Sequence, residues 1–348
     1  MQAVILAGGE GTRLRPLTET VPKTTLPLCG RPFTAYTIDW LERFGVDEVV
    51  LSCGYLADET RAALADVSGP RLVFETEPEP LGTAGAIGHC RESLGERFFA
   101  LNGDVLSDLD LSALVDAHER SGARATIALY PVDDVSSYGL VERRPDGRIT
   151  AFLEKPDPGE ASTDEINAGV YLLDHSVLDL IEPGREVSIE RDVFPILAEE
   201  GSLQGVRLDG YWLDIGTPER FLQASWDILE GRVRTSVGEA ADASGVTVDP
   251  EARVDGSAQL VAPCLVGSDC TVDAGARLGP RCVVGPGCSI GARSTVEDSV
   301  LLAGCEVGEG AAIEGAILSA CSTVPVGSAV AAGTVSAEGQ TLGEEGTS

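Results

Sequence analysis

The chain has 348 residues, 56 acidic against 25 basic side chains, and a formal net charge of −31. A field of that sign repels nucleic acids and anionic membranes, which excludes both as partners. No apolar run reaches the roughly 18 residues of a membrane span, and Met1 leads directly into a strand, so the chain reads as a cytoplasmic protein long enough for two domains.

The first predicted element is a buried strand at Gln2-Ala3-Val4-Ile5. The stretch Leu6 to Pro27, LAGGEGTRLRPLTETVPKTTLP, follows it. Gly8, Gly9 and Gly11 let the backbone turn sharply and approach a ligand closely, and Arg13, Arg15 and Lys23 bring three cations to the same loop. Free backbone N–H groups after a first strand, with cations beside them, form the kind of cradle that holds phosphate. The dinucleotide pattern GxGxxG fails because Leu14 stands where its third glycine belongs, and the P-loop pattern GxxxxGK fails too. Taken alone, the loop fits a tight strand-to-helix turn with solvated arginines as well as it fits a phosphate site.

Apolar residues at helical spacing predict a helix over 33–44, a strand over 48–53, a helix over 57–64 and strands over 72–74 and 98–101, then a helix over 111–121. Strands alternating with helices indicate a doubly wound sheet, which binds ligands beyond the carboxyl ends of its strands. Pro80 to Gly85 is a turn running into a helix start, open to either an ordinary loop or a backbone approach to a base or ribose. Asp104, in Asn102-Gly103-Asp104, ends a buried strand, where a carboxylate is costly unless paired or bound to a cation. It reads as a turn residue or as a magnesium ligand. From Ala125 the strands look shorter and more antiparallel, with Glu154-Lys155-Pro156 ending one and Asn167-Ala168-Gly169 opening another. Tyr211 to Pro218, which contains Asp214, precedes a helix over 219–229.

Only two lysines occur, Lys23 and Lys155, against 23 arginines, and both fall in segments read as phosphate sites. A lysine is a compact point charge that arginine does not mimic, so the choice is informative. Nine cysteines and three histidines include no CxxC and no zinc spacing, so the cysteines read as thiols.

The last third is built differently. Val248, Val254, Leu260, Val266, Val272, Leu278, Val284, Ile290 and Val296 recur every six residues, and four residues after each comes a residue that is nearly always small. That is the hexapeptide repeat of a parallel β-helix, with branched residues inside and small ones at the corners. Cys264, Cys270, Cys282, Cys288 and Cys305 take corner positions, a structural role. The period is expected to slip by one residue between Leu302 and Val307 and to fade after Val330. The polar, glycine-rich tail is expected to be disordered.

The string from Gly8 to Pro27 resembles the signature of the sugar-1-phosphate nucleotidyltransferases, with Gly8, Gly9, Gly11, Thr12, Arg13, Leu14, Pro16, Leu17, Thr18, Pro22, Lys23, Leu26 and Pro27 matching. Thr24-Thr25 departs from it, in place of a proline and a hydrophobic residue. The resemblance covers residues 1 to about 230. It implies a Rossmann-like doubly wound mixed α/β sheet of the nucleotide-diphospho-sugar transferase type, followed by a left-handed parallel β-helix. The boundaries expected are 1–233 for the catalytic domain, 234–245 for a linker, 246–335 for the β-helix and 336–348 for the tail. By the same resemblance Arg13, Lys23, Asp104, Lys155 and Asp214 are catalytic, and Asp104 and Asp214 hold Mg2+. Leu6, Ala7, Gly8, Gly9, Gly11, Thr12, Arg13, Lys23, Gly82, Thr83 and Ala84 bind the nucleotide. Gly139, Glu154, Lys155, Asn167 and Gly169 bind the sugar phosphate.

The implied substrates are a nucleoside triphosphate and a sugar 1-phosphate, and the implied assembly is a homo-oligomer. Leu81 to Gly85, the run Val187 to Pro195 and the β-helix look most like mannose-1-phosphate guanylyltransferases. Another nucleotide (dTTP or ATP) with a glucose, heptose or cyclitol phosphate stays open, as does a catalytically silent sensor. Acyl transfer on the β-helix calls for a histidine base, yet His89, His118 and His175 all precede the repeats.

Overall fold

The structure is a computed structural model that describes residues 1–134, 138–154, 163–240 and 244–343. The chain divides into two compact units, Met1–Gly9 with Thr37–Trp212, and Glu10–Tyr36 with Leu213–Ser348.

The first unit is built on a nine-stranded sheet. Its main path runs Ile149–Glu154, Gly139–Arg143, Glu165–Asp174, Arg97–Asn102, Gln2–Leu6, Glu48–Cys53 and Arg71–Thr76, with Ala125–Pro131 and Leu203–Arg207 joined at the side of Glu165–Asp174. Gln2–Leu6 lies parallel between Glu48–Cys53 and Arg97–Asn102, Ile5 opposite both Leu51 and Leu101. Side chains alternate across such a strand, so a strand covered on both faces must be apolar at every position. Ala3 and Ile5 enter one core with Leu51, Phe99, Trp40 and Leu114, while Val4 enters the opposite core with Val50, Phe98, Ile87 and Phe194. The expected switch to antiparallel pairing occurs at Glu165–Asp174, which runs against Arg97–Asn102, so the sheet is mixed.

Helix Leu111–Ser121 packs beside this switch. The Asp110 carboxylate caps it by accepting from the Ser112 N–H, and Gly122, at φ +61°, ends it in the left-handed region that glycine adopts without strain. Its His118 is buried, with Nδ1 2.8 Å from Thr126 Oγ1 and Nε2 3.2 Å from Asp174 Oδ1. Burial lowers the imidazole's proton affinity, and the Arg97 guanidinium lowers it further, while the bond and charge of Asp174 and the charge of Glu119 raise it; burial is the largest influence. A histidine whose folded pKa is depressed gives its full stability above the unfolded value and loses it as pH falls toward the folded one. The melting temperature should therefore fall on acidification below about pH 6.5, and His118→Gln should remove that component. Identical pH slopes for the two proteins would dismiss His118 as its source.

The second unit holds residues 10–36, helix Pro218–Leu229 and the repeats. The repeats form a left-handed β-helix of three five-stranded parallel sheets. Cys264 pairs with Cys282, and Thr271 with Ser289, one rung of eighteen residues further on. Val266, Val272, Leu278, Val284, Ile290 and Val296 fill the interior. Cys264, Cys270, Cys282, Cys288 and Cys305 are free and buried at the corners, as expected. The thiols of Cys270, Cys288 and Cys305 donate to the carbonyls of Gly285, Leu302 and Ser319 at 3.0, 3.1 and 3.2 Å.

The slip lies elsewhere than expected. Leu301 is fully buried and Leu302 is 8% exposed, so the missing residue falls between Val296 and Leu301 instead of between Leu302 and Val307. From Val283 paired with Val300 onward the rungs are seventeen residues long. Ser299 makes the short side workable: its hydroxyl donates to the Glu297 carbonyl at 2.6 Å and accepts from the Ala316 N–H at 3.0 Å, filling a place the backbone leaves. The tail departs from the expectation of disorder as far as Gly343. Gly339 N–H donates to Ala320 O, Leu342 N–H to Thr323 O, and the fully buried Ser336 hydroxyl accepts from Ser319 N–H. Small residues there meet the corner requirement without an aliphatic period to announce it. Residues 344–348 lie outside the described ones. Within 234–245, Ser236–Ala240 forms a short helix. No helix among the described residues is long and apolar enough to cross a membrane.

Candidate active site

In the first unit the candidate residues gather at the carboxyl ends of the parallel strands. Ala7 N–H donates to Ser52 O at 2.8 Å, and Gly103 N–H to Leu6 O at 3.1 Å, so the loops after Leu6 and Asn102 leave the sheet side by side. A methyl group on Gly8 would sit 2.8 Å from Glu77 Oε1, whereas one on Gly9 would meet nothing within 4 Å. Gly8 thus lies close against the Glu77 carboxylate, and Gly9 is the glycine with open space before it. Glu77 accepts from the Ser52 hydroxyl at 2.9 Å and from Leu81 N–H at 3.3 Å, tying the glycine loop's neighbourhood to the second nucleotide segment.

That second segment is helix Gly82–His89 and the turn before it. Ala84 and Gly85 N–H groups both donate to the Val187 carbonyl, and Val187 N–H returns to Leu81 O at 2.8 Å. Added methyl groups would meet Val187 O at 2.7 Å from Gly82 and Arg185 O at 2.6 Å from Gly85. Both glycines therefore exist to let residues 185–190 lie against this turn, a physical reason for the absence of a side chain at Gly85. Thr83 turns inward: its hydroxyl donates to Glu190 Oε2 at 3.0 Å and accepts from Ile189 N–H at 2.8 Å.

On the acceptor side, Gly139 stands opposite Glu154 in the ladder, and Leu140 opposite Ile166, next to Asn167. A methyl on Gly169, at φ +70°, would strike Asn102 Nδ2 at 2.7 Å, so Asn167–Gly169 and Asn102–Asp104 share one rim. Asn167 accepts from Gly169 N–H through Oδ1 and donates from Nδ2 to Tyr171 Oη, each at 2.9 Å. One amide hydrogen and one lone pair are left over for a ligand. Burial first, and then the Glu190 charge, hold the Tyr171 hydroxyl protonated well above the ordinary phenol range. Lys155 lies outside the described residues, as does the side chain of Glu154.

In the second unit Gly11 sits at φ +62°, and a methyl there would lie 2.9 Å from Lys23 Cβ and 3.1 Å from Thr18 Cγ2. Thr18 Oγ1 donates to Gly11 O at 2.9 Å and closes the loop. Lys23 opens the 3-10 turn Lys23–Thr25 and is 9% exposed. Thr24 and Thr25, the departure from the signature, are buried in the same turn; Thr25 donates to Pro22 O at 3.3 Å, while Thr24 Oγ1 has no hydrogen-bond partner. Asp214 ends strand Trp212–Asp214. A methyl on Gly216 would be 2.8 Å from Arg13 Nη2 and 3.1 Å from Asp214 Oδ1, so this glycine makes room for the guanidinium and the carboxylate together. Helix Pro218–Leu229 then starts with Thr217 as its cap.

Glu77, Glu190 and Gly216 escaped the sequence reading as individual site residues. Glu77 stands five residues before Gly82, and Glu190 lies inside the already conspicuous run 187–195. No group of three or more histidine, cysteine, aspartate or glutamate residues placed to hold a metal occurs among the described residues.

A mixed doubly wound sheet whose parallel strands end in glycine loops, followed in the chain by a left-handed β-helix, defines a nucleotidyltransferase-type enzyme. The chain belongs to the Nucleotidyl transferase family, whose profile matches residues 2–231, and a GMPPB C-terminal domain profile matches residues 260–347. Among curated relatives, it is 39% identical over 266 residues to a mannose-1-phosphate guanylyltransferase of Mycobacterium tuberculosis, covering 74% of each chain. It is 38% identical to mannose-1-phosphate guanyltransferase beta-B of Xenopus laevis, covering 73% of each. Among solved structures, HddC from Yersinia pseudotuberculosis aligns with TM-score 0.58 and 30% identity over 64% of this chain and 97% of that one. The same protein complexed with GMP-PN aligns with TM-score 0.55 over the same shares.

Proposed function

We propose that this nucleotidyltransferase joins GTP and mannose 1-phosphate to give GDP-mannose and pyrophosphate. The observation that carries the reading is the similarity, over about three quarters of the chain, to relatives named for that reaction, with both the catalytic part and the C-terminal part matched. A phosphate oxygen of the sugar 1-phosphate forms a bond to the α-phosphorus of GTP as the bond from that phosphorus to the bridging oxygen breaks. The nucleophile is already ionised, so no general base is required, and the work is alignment and charge neutralisation.

In this proposal Gly9, Gly11 and Thr12 present backbone to the triphosphate, with Leu6, Ala7 and Gly8 shaping the loop. Arg13 and Lys23 neutralise the departing pyrophosphate. The turn Gly82-Thr83-Ala84 borders the nucleotide, Lys155 meets the sugar phosphate, and Glu154, Asn167, Gly139 and Gly169 surround the sugar. Asp104 and Asp214 are the proposed holders of Mg2+. Carboxylates suit this ion, which takes oxygen donors and fills its remaining positions with water and phosphate. When bound, it would draw charge from the phosphorus under attack.

Pyrophosphate release with four nucleoside triphosphates crossed against mannose, glucose, heptose and cyclitol phosphates tests the reading. GTP with mannose 1-phosphate should exceed every other pair by at least about tenfold in kcat/KM, a difference of roughly 1.4 kcal/mol. A larger value for another pair would reassign the substrates. No turnover with any pair would leave the sensor reading. A cytoplasmic homo-oligomer is part of the same proposal, and light scattering on the full chain checks the assembly.

A further inference from the structure

Glu190 is the hub of a hydrogen-bond network that links two segments far apart in sequence. Its Oε2 accepts from Thr83 Oγ1 at 3.0 Å and from Ser188 Oγ at 2.8 Å, and its Oε1 accepts from Tyr171 Oη at 3.3 Å. Tyr171 in turn accepts from Asn167 Nδ2. The path from the turn at Thr83 to Asn167 therefore passes through one carboxylate and one phenol. Tyr171 is fully buried, and its ring packs edge-on against Phe194 with centroids 5.2 Å apart, which holds the ring in place.

Donor and acceptor roles in this path are forced. A carboxylate only accepts, so Thr83, Ser188 and Tyr171 must all donate to it, and Tyr171, having spent its proton, can only accept from Asn167. That fixes the Asn167 amide with its nitrogen toward Tyr171 and its oxygen toward Gly169 N–H. The Gly169 N–H and the Tyr171 hydroxyl, whose proton is committed to Glu190, thus act together to hold the direction in which Asn167 presents its remaining hydrogen and lone pair.

We propose that Glu190 is a positioning residue which sets the Gly82-Thr83-Ala84 turn and the Asn167 amide together, so that the nucleotide and sugar-phosphate halves of the site are ordered by one group. The inference rests on the roles given above to Thr83's turn and to Asn167. It explains why residues 185–190 are stapled so closely to helix Gly82–His89: the staple delivers Glu190 to the gap between the two halves.

Three variants test it by steady-state kinetics with both substrates varied. Tyr171→Phe keeps the packed ring and should raise the acceptor KM about fivefold, leaving the nucleotide KM within twofold. Thr83→Val should do the reverse. Glu190→Gln puts an amide donor where one of the two accepting oxygens stands, so whichever way the amide turns the three hydroxyl donors cannot all be satisfied, and it should raise both by roughly three- to tenfold, the range of a lost hydrogen bond. Melting temperatures run beside the kinetics separate positioning from unfolding. Variants that retain parental KM values at unchanged melting temperature, or a Glu190→Gln variant that loses kcat alone, would overturn the proposal. A parent that turns over no substrate pair defeats the reaction itself, whereas an active parent with insensitive variants defeats only this inference.

Discussion

Asp104→Asn and Asp214→Asn are each expected to lower kcat by roughly 100-fold or more, the loss typical of removing one charge-stabilising group from a transition state. The change keeps side-chain shape and removes the charge that a magnesium ion needs from its ligand. Asp104 stands in the two-residue turn between strands Arg97–Asn102 and Val105–Ser107, and Asp214 at a strand end, so neither substitution should unfold the chain. Residues that serve one ion act as a unit, so the double variant should be little worse than the worse single one. Pyrophosphate release measured across a magnesium titration, with circular dichroism as the fold control, decides the matter. Losses that multiply, or a parent reaction indifferent to magnesium, would rule out a shared ion. Asp214→Asn carries a second consequence within its own unit: the Arg13 guanidinium lies beside the same Gly216, so this variant should also weaken pyrophosphate affinity in the reverse reaction.

Much of this arrangement was legible because it is written in short, local, directional patterns. A glycine loop after an apolar strand and a period of six each survive without knowledge of the fold. The sequence reading recognised Gly8, Gly9 and Gly11 as a loop, but the different reasons for each emerge only from what surrounds them: Glu77 for Gly8, open space for Gly9, Lys23 and Thr18 for Gly11. Glu77 and Glu190 were not legible, since an acidic side chain in a chain with 56 of them carries no signal until its partners are seen. The slip in the β-helix was misread for a related reason. Leu301 and Leu302 are equally apolar, and the choice between them depends on Ser299 closing a short corner, which hydropathy does not register. The ordered residues up to Gly343 were missed because a β-helix corner asks for small residues, the same composition that signals disorder elsewhere.

Lys23→Arg should lower kcat/KM about tenfold, equivalent to roughly 1.4 kcal/mol, although the charge is conserved. The lysine's stem runs along Gly11: the position of a Gly11 methyl would be 2.9 Å from Lys23 Cβ and 3.3 Å from its Cδ. Lys23 itself is buried, with Thr24 and Thr25 buried in the same turn, and a larger planar fork is harder to accommodate at a buried position than a compact point charge. The composition agrees, because a chain that uses 23 arginines and two lysines has kept lysine here. Lys23→Met, which removes the charge, should cost roughly 100-fold. Gly11→Ala supplies an independent check on the geometry. It leaves the ammonium in place but displaces its stem and forces a side chain into φ +62°, so it should reproduce part of the Lys23→Arg loss together with a lower melting temperature. Near-parental kcat/KM for Lys23→Arg would mean that the site reads only charge at this position, and Lys23 would then be one cation among several in place of a shaped phosphate ligand.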